Sequence, residues 1–294
     1  MAEFKFEGVM TALITPFTEE GDVDYEGFRE NIRYQLGNSI NGLVVLGTTG
    51  ETPTLGDEEK EKLASITVEE AKGKVPVVVG TGTNSTEKTV AESKKAEELG
   101  ADALLVVTPY YNKPTEEGIY QHFRAVNDAV SIPIIVYNIA GRTGKNIETH
   151  VMKRLAELEN IMAVKEASGS ISQITEVIEQ IPELKVLAGD DAMTFPLMAL
   201  GGHGVISVTS NIMPAEMSGL CSAMLEGKME EGRKEHFRLL PFFRACFLET
   251  NPIPIKAAMK LKGLPSGDYR LPLCSMKDEN LEKLRKVMQE MKLL

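Results

Sequence analysis

Short apolar runs recur along the chain, and each is followed by a segment whose apolar residues have helical spacing. Eight runs fall within the first 224 residues, at 8–16, 42–46, 75–79, 103–107, 132–136, 161–164, 184–188 and 205–208. Runs of this length are typical of parallel strands buried on both faces. Eight strand-then-helix units predict an α/β protein, a closed TIM (β/α)8 barrel, because a doubly wound open sheet usually stops at about five or six strands.

The strand pattern ends near residue 224, and the remaining sequence has the apolar spacing of helices. The predicted helices cover 228–248, 253–261 and 278–291. They follow the last strand-then-helix unit without a long linker. We therefore expect a barrel that carries the active site over 1–224 and a C-terminal helical region packed on it over 225–294.

Charge and composition exclude several classes of partner. The formal net charge of -11 disfavours binding to nucleic acid or to an anionic membrane. No apolar run approaches the ~18 residues of a membrane span, and residues 1–8 have no signal-peptide pattern. The three cysteines and four histidines are widely spaced, so no disulfide framework, metal site or cofactor is predicted. These observations predict a cytoplasmic protein.

A lysine, Lys165, directly follows the apolar run at 161–164. Burial of an unpaired ammonium is costly, so it lowers the pKa of a lysine from about 10.4 towards roughly 7–8. A neutral lysine amine can attack a carbonyl carbon and form a Schiff base. We therefore interpret Lys165 as a candidate nucleophile. The alternative is a strand-end lysine that pairs with a carboxylate such as Glu166 or Asp190.

Polar residues also follow other strands, at the edge where a barrel of this type carries its active site. The sequence Gly-Thr-Thr-Gly-Glu at 47–51 can form a backbone nest for a small carboxylate, although a plain glycine-rich turn fits as well. Tyr137 lies on the strand next to that of Lys165, which suits proton transfer, and Arg142 suits bidentate binding of a carboxylate. Two other interpretations stay open: Tyr137 can be a packing residue, and Arg142 can be an ordinary solvated side chain.

Two further polar stretches are interpreted as helix caps. Segment 80–85 lacks the third glycine of a dinucleotide fingerprint and ends in a serine that can cap the next helix. Asp190 precedes another predicted helix, where an acid accepts hydrogen bonds from free N–H groups. Neither stretch is expected to bind a cofactor or a metal.

Six motifs in order along the chain resemble the dihydrodipicolinate synthase (4-hydroxy-tetrahydrodipicolinate synthase) family. They are V-M-T-A-L-I-T-P-F, G-T-T-G-E-T-P-T-L, V-T-P-Y-Y-N-K-P, Y-N-I-A-G-R-T-G, V-K-E-A-S-G and N-P-I-P-I-K-A-A-M. Nearly the whole chain takes part. The resemblance implies a (β/α)8 barrel with a helical C-terminal region, and a place among the Schiff-base-forming class I pyruvate aldolases of the N-acetylneuraminate lyase superfamily. It also implies a lyase of diaminopimelate and lysine biosynthesis.

The resemblance further implies catalytic roles for matching residues. Lys165 would form the Schiff base with pyruvate. Thr49, with the backbone of Thr48 and Thr49, would hold the pyruvate carboxylate. Tyr137, the Thr48 hydroxyl and Tyr111 from a neighbouring subunit would pass protons to and from water. Because this relay crosses an interface, the resemblance implies a homo-oligomer, either a dimer or a tetramer.

The resemblance implies substrate-binding roles as well. Arg142 would bind the carboxylate of aspartate 4-semialdehyde, and Gly189 and Ile206 would line the pocket. The family loop more often has proline where this chain has Ala140. Loss of that ring removes a fixed φ, so we expect a modest loosening of the approach to Arg142.

A second departure concerns the lysine-inhibition site of feedback-regulated members. Asp57 and Lys60 stand where those members carry histidines, and Lys88 replaces an acid, whereas Asn84 and Tyr110 match. A cation that faces the ammonium of a bound lysine is unfavourable. The sequence therefore predicts weak inhibition by lysine or none.

Two alternatives to the synthase remain. A related 2-oxo acid aldolase, such as an N-acetylneuraminate lyase or a 2-keto-3-deoxygluconate aldolase, would share the lysine and the strand-end tyrosine. Arg142 favours the synthase, because a carboxylated aldehyde needs a cation whereas a sugar chain needs hydroxyl partners. The other alternative is a catalytically idle barrel that serves as a scaffold, in which Lys165 forms a structural ion pair.

Overall fold

In a computed structural model, which describes residues 5–294, eight parallel strands pair in chain order and close into a barrel. The strands are β1 Gly8–Ala12, β2 Gly42–Val45, β3 Val77–Gly80, β4 Ala103–Val107, β5 Ile134–Asn138, β6 Ile161–Glu166, β7 Lys185–Ala188 and β8 Gly204–Ser207. Pairing of β1 with both β2 and β8 closes the sheet. The predicted TIM barrel is confirmed. The prediction that residues 1–8 have no signal-peptide pattern rests partly on residues 1–4, which lie outside the described residues.

Helices surround the barrel and continue beyond it. They are α1 Tyr25–Leu36, α2 Asp57–Ala71, α3 Thr86–Glu98, α4 Glu116–Asn127, α5 Ala140–Thr143, α6 Thr149–Ala156, α7 Ile171–Gln180, α8 Thr194–Ala199, α9 Pro214–Leu225, α10 Met229–Ala245, α11 Ile253–Lys262 and α12 Asp278–Glu290. The Ser85 side chain caps α3 by accepting a hydrogen bond from the N–H of Lys88, as predicted. None of the helices between residues 5 and 294 has both the length and the apolarity needed to cross a membrane.

Alternate side chains of each strand face opposite sides of the barrel wall. One set fills the barrel interior and forms a separate apolar cluster that includes Val78, Ile135 and Ala163. The other set, which includes Val136 and Val164, packs against the helices in the larger core. On β6, Lys165 therefore points into the barrel with Ala163, whereas Glu166 points towards the helices with Val164.

Every strand except β4 has an end that differs from the predicted one by one to four residues, and polar residues or proline explain the differences at β5 and β6. β6 continues through Glu166, two residues beyond the apolar run. β5 begins at Ile134 because Pro133 has no N–H to donate to a neighbouring strand. Apolarity alone therefore underestimates strands whose last inward-facing residues are polar.

The C-terminal helices contact the barrel through its last helices. α10 packs against α8, α9 and α12, and α11 packs against α12 and the turn Thr209–Asn211 that follows β8. The predicted boundary after residue 224 falls at the last residue of α9. The division into a barrel and a helical region stays a prediction.

Candidate active site

Lys165 lies on β6 with only 6% of its surface exposed. Its Nζ lies 4.3 Å from the centroid of the Tyr137 ring. Burial lowers the pKa of Lys165 to about 7, an effect that the charge of Arg142 reinforces and that of Asp191 opposes. Among residues 5–294, Lys165 forms no ion pair or hydrogen bond to a carboxylate. At pH 7 about half of the amine is therefore neutral, and this fraction is free to act as a nucleophile.

The two acids considered as partners of Lys165 are bonded elsewhere. Glu166 accepts hydrogen bonds from the N–H of Ser168 at 2.6 Å and from Asn138 Nδ2 at 3.2 Å. Asp190 accepts from the N–H of Ala192 at 2.9 Å and caps the turn that follows, as predicted. An ion pair between Lys165 and either acid is therefore wrong for this structure, because alternation along the strand places Glu166 on the opposite face.

Tyr137 is paired with Lys165 across β5 and β6 and is almost fully buried. Burial raises the pKa of Tyr137 to about 12, with opposing contributions from the charge of Arg142 and from a hydrogen bond with the Thr48 side chain. The phenol therefore keeps its proton at neutral pH. A hydroxyl of this kind can both donate and accept a hydrogen bond, which is what a proton relay requires.

Thr48 and Thr49 form a single turn directly after β2. The hydrogen bonds within the turn are donated by Gly50 and Glu51, so the N–H groups of the two threonines are not needed for its own bonding. Glu51 has a left-handed φ of 54° and ends the turn. The result is a short segment whose backbone donors can bind a carboxylate.

A cavity of about 470 Å³ opens at the C-terminal edge of the strands. Thr48, Tyr110, Tyr137 and Arg142 are among the residues that line it. Arg142 lies in α5, and its Nη2 donates a hydrogen bond to the backbone carbonyl of Asn251 at 3.1 Å. Ala140 is the first residue of α5, a position at which proline is common but not required.

Gly189 and Ile206 also lie close to the lysine or in the barrel interior. A Cβ at Gly189 would lie 2.8 Å from the Ala167 Cβ and 3.2 Å from the Lys165 Cε, so only glycine leaves room for the lysine stem. Ile206, on β8, belongs to the interior cluster that surrounds the base of the site. Neither residue is among the described residues that line the cavity, so their pocket-lining role stays a prediction.

Tyr111 is placed differently from the other predicted site residues. Its side chain is 88% exposed and its φ is 71°, whereas the other predicted catalytic residues are buried or partly buried. Like Lys165 and Thr49, it is not among the described residues that line the cavity. Its neighbour Tyr110 does line the cavity. A single chain therefore leaves Tyr111 pointing outwards.

Three polar residues near the site, Asn251, Lys256 and Glu51, have no role predicted from the sequence. Asn251 Nδ2 donates to Thr49 Oγ1 at 3.0 Å. The fully buried Lys256 Nζ donates to Glu51 Oε1 at 2.7 Å and to the carbonyl oxygen of Thr15 at 3.0 Å. The available signal was a lysine inside the apolar stretch I-P-I-K-A-A-M, which is the same kind of signal that identified Lys165.

A second group of charged residues lies between α2 and α3. Lys60 Nζ lies 3.1 Å and Lys88 Nζ 3.6 Å from Glu92 Oε1, so one carboxylate is shared by two ammonium groups. Asp57 lies 3.8 Å from Lys60. All of these side chains line a cavity of about 330 Å³, and Lys60, Lys88 and Glu92 line the larger cavity too.

Comparisons with known proteins agree with this arrangement. The model of the dihydrodipicolinate synthetase family matches residues 5–291. A 4-hydroxy-tetrahydrodipicolinate synthase of Protochlamydia amoebophila (strain UWE25) is 51% identical, over 97% of this chain and 96% of its own length. A crystal structure of dihydrodipicolinate synthase from Thermotoga maritima has a TM-score of 0.95 and 47% identity, over 98% of this chain and 99% of that one.

A third similar structure is of a dihydrodipicolinate synthase variant described as monomeric. It has a TM-score of 0.95 and 46% identity, and the match covers 98% of both chains. Sequence and structure thus agree over nearly the full length. The chain belongs to the dihydrodipicolinate synthetase family.

Proposed function

We propose that this protein is a Schiff-base-forming lyase that condenses pyruvate with L-aspartate 4-semialdehyde, as a 4-hydroxy-tetrahydrodipicolinate synthase. One observation carries the proposal: Lys165 is buried beside Tyr137 without an anionic partner, and its pKa is lowered to about 7. A structural lysine would be paired, as Lys256 is with Glu51. The scaffold alternative requires such an ion pair at Lys165 and is therefore disfavoured.

In the first half of the proposed reaction, the neutral Nζ of Lys165 attacks the carbonyl carbon of pyruvate. The carbonyl oxygen takes one proton from the attacking nitrogen and one from Tyr137 and leaves as water, and the nitrogen becomes a protonated iminium. The N–H groups of Thr48 and Thr49 and the Thr49 hydroxyl hold the carboxylate. The Thr48 hydroxyl bonds to Tyr137 and returns its proton. Gly189 leaves the space in which the lysine stem can adopt this geometry.

In the second half, the methyl group of bound pyruvate loses a proton to the proposed relay of Tyr137 and Thr48, which can return a proton to the aldehyde oxygen. The methyl carbon thereby becomes the nucleophilic carbon of an enamine. This carbon attacks the aldehyde carbon of the semialdehyde, and the aldehyde oxygen takes up a proton. Arg142 holds the semialdehyde carboxylate. The amino group of the semialdehyde then attacks the iminium carbon and displaces the Lys165 amine, which closes the ring and frees the lysine.

Turnover of pyruvate with aspartate 4-semialdehyde, coupled to a reductase that consumes the product, tests this proposal. Robust turnover would support it. Absence of turnover, with pyruvate still trapped on Lys165 by borohydride, would keep the Schiff base and move the acceptor to a sugar-like aldehyde. That is the chemistry of an N-acetylneuraminate lyase or a 2-keto-3-deoxygluconate aldolase. Absence of both would support a scaffold.

The pH dependence of kcat/KM for pyruvate is expected to report the titration of Lys165. Protonation below the pKa of about 7 removes the nucleophile, so kcat/KM should fall with decreasing pH and level off above it. Tyr137, with a pKa of about 12, stays protonated throughout this range. An inflection near the ordinary pKa of lysine, about 10.4, would contradict the proposal.

We also propose that the active form is a homodimer or homotetramer, in which Tyr111 enters the site of a neighbouring subunit. Its exposure of 88% in the single chain leaves it available for that contact. Tyr111→Phe is expected to lower kcat at least about tenfold, because the relay loses its outer hydroxyl, while KM for pyruvate changes little.

Tyr120→Phe is the matched control, since it removes a phenol on α4 that packs against Arg154 and does not line the cavity. Sedimentation should show the same assembly for both variants. An unchanged kcat in Tyr111→Phe would overturn the assigned role. Full activity in a monomeric preparation would overturn the proposal that assembly is required.

Inhibition by L-lysine is expected to be weak or absent. Lys88 brings a second ammonium to Glu92, which already pairs with Lys60, so little negative charge is left for a third ammonium. Turnover measured with increasing lysine should not fall in the micromolar range. Inhibition at micromolar lysine would contradict this prediction, and Lys88→Glu tests whether an acid there increases sensitivity.

We place the proposed reaction in diaminopimelate and lysine biosynthesis, and the protein in the cytoplasm. The substrates are small molecules, and a net charge of -11 offers no basis for binding nucleic acid or anionic lipid. Fractionation of cells, followed by detection of the protein and its turnover in the soluble fraction, tests the location.

A further inference from the structure

Asn251 joins two parts of the site that come from distant segments of the chain. It is 5% exposed and lies directly before α11, outside the barrel sequence. Its Nδ2 donates to Thr49 Oγ1 at 3.0 Å across a separation of 202 residues. Its backbone carbonyl accepts from Arg142 Nη2 at 3.1 Å. One residue thus touches both groups to which carboxylate binding is assigned above.

The hydrogen bond to Thr49 has a defined direction. An amide nitrogen can only donate, so it occupies a lone pair of the Thr49 oxygen and leaves the hydroxyl proton free. That proton can then be donated to the carboxylate of pyruvate. If an acceptor stood in place of the amide nitrogen, the Thr49 hydroxyl would donate its proton to that acceptor. The proton would then not be available to bind the carboxylate of pyruvate.

The segments that carry Asn251 and Thr49 are held together by a second contact. Lys256 in α11 and Glu51, just after the threonine turn, form an ion pair of 2.7 Å in which both side chains are fully buried. Glu51 Oε2 also accepts from the N–H of Arg270 at 3.3 Å. Because these contacts already hold the backbone, the side chain of Asn251 is not needed merely to dock α11 on the barrel.

We propose that Asn251 is a positioning residue that aligns both carboxylate-binding groups. Its side-chain amide directs the Thr49 hydroxyl towards pyruvate, and its backbone carbonyl holds the guanidinium of Arg142 towards the semialdehyde. This inference rests on the proposed function. It assigns to the C-terminal segment a part in substrate recognition that the barrel alone does not supply.

The test compares Asn251→Ala and Asn251→Asp in the otherwise unchanged chain and in a Thr49→Val background. Each variant keeps the backbone carbonyl that Arg142 contacts. Asn251→Asp is expected to raise KM for pyruvate at least about tenfold, because the carboxylate takes the Thr49 proton and repels the substrate. Asn251→Ala should raise it about threefold to tenfold. In both variants, KM for the semialdehyde should change less than about twofold.

Dependence on Thr49 separates positioning from a general structural role. In the Thr49→Val background, Asn251→Ala should leave KM for pyruvate within about twofold of the single Thr49 variant. An equal rise of KM in both backgrounds would overturn the inference. An unchanged KM for pyruvate in Asn251→Asp would also overturn the inference, because it would show that the amide oxygen of Asn251, and not the nitrogen, faces Thr49. Asn251→Asp has the shape of the original side chain, so it gives a result even where the alanine variant unfolds.

Wild-type turnover and pyruvate trapping, measured first, separate the two proposals. A wild-type chain that neither turns over nor traps pyruvate would overturn the proposed function. A fully active wild-type chain with independent effects of Asn251 and Thr49 would overturn only the positioning role.

Discussion

Lys165→Met is expected to abolish covalent capture of pyruvate and to lower turnover by at least about a thousandfold, while the fold is retained. The replacement removes the only group that is proposed to form a covalent bond with the substrate. Methionine keeps every atom position of the lysine stem except the terminal nitrogen, so the space beside Gly189 and Ala167 stays filled. Because Lys165 has no ion pair among the described residues, the replacement breaks no ion pair.

Borohydride reduction with pyruvate, followed by mass spectrometry of the intact chain, measures the capture directly. The wild-type chain should gain one reduced pyruvate, and the variant should gain none. Thermal unfolding of the variant should occur at the wild-type temperature or above it, since a costly buried amine is replaced by an apolar group. Retained capture, or a large loss of stability, would contradict the role of Lys165 as an unpaired nucleophile.

Lys256→Met is the same chemical change at the other fully buried lysine, and the opposite result is expected. This variant should lose about 3–5 kcal/mol of unfolding free energy, because the Glu51 carboxylate would stay buried without its partner. The carbonyl oxygens of Thr15 and Asp268 would lose a donor as well. Turnover should also fall, since Glu51 directly follows the threonine turn.

Chemical denaturation of Lys256→Met measures the loss, and Glu51→Gln combined with Lys256→Met is the control. Removing both charges should recover part of the stability, because an uncharged amide is much less costly to bury than a carboxylate. A single variant as stable as the wild type would show that the pair contributes nothing. A double variant no more stable than the single one would attribute the loss to packing.

These two lysines show why the candidate site was only partly predictable from sequence. Both follow apolar residues in the chain, and both are buried. The apolar run before Lys165 predicts its burial but not its direction, because strands buried on both faces show no alternation of apolar and polar residues. It does not predict whether an acid lies within reach, because that acid can come from any strand or loop. Lys165 is unpaired, and Glu51 forms an ion pair with Lys256, only because of how the closed barrel and the C-terminal helices pack together.

The barrel itself was largely predictable, for a local reason. Burial on both faces makes each parallel strand a short apolar run, and the intervening helices have their own apolar spacing. All eight strands were identified, and β4 was predicted with its observed ends. The ends of the other seven strands were misplaced by one to four residues. At β5 and β6 the reason is that a proline and polar residues interrupt the apolar signal.

The sequence by itself therefore determined the eight strand-then-helix units, the buried lysine and the polar residues at the strand ends, since each depends on neighbours a few positions away. Only the tertiary structure decided that Asn251 meets Thr49 and Arg142, and that Tyr111 points away from its own cavity. Those contacts join residues that are far apart in the chain. No local periodicity carries such information, because it arises only when the barrel closes and the C-terminal helices pack against it.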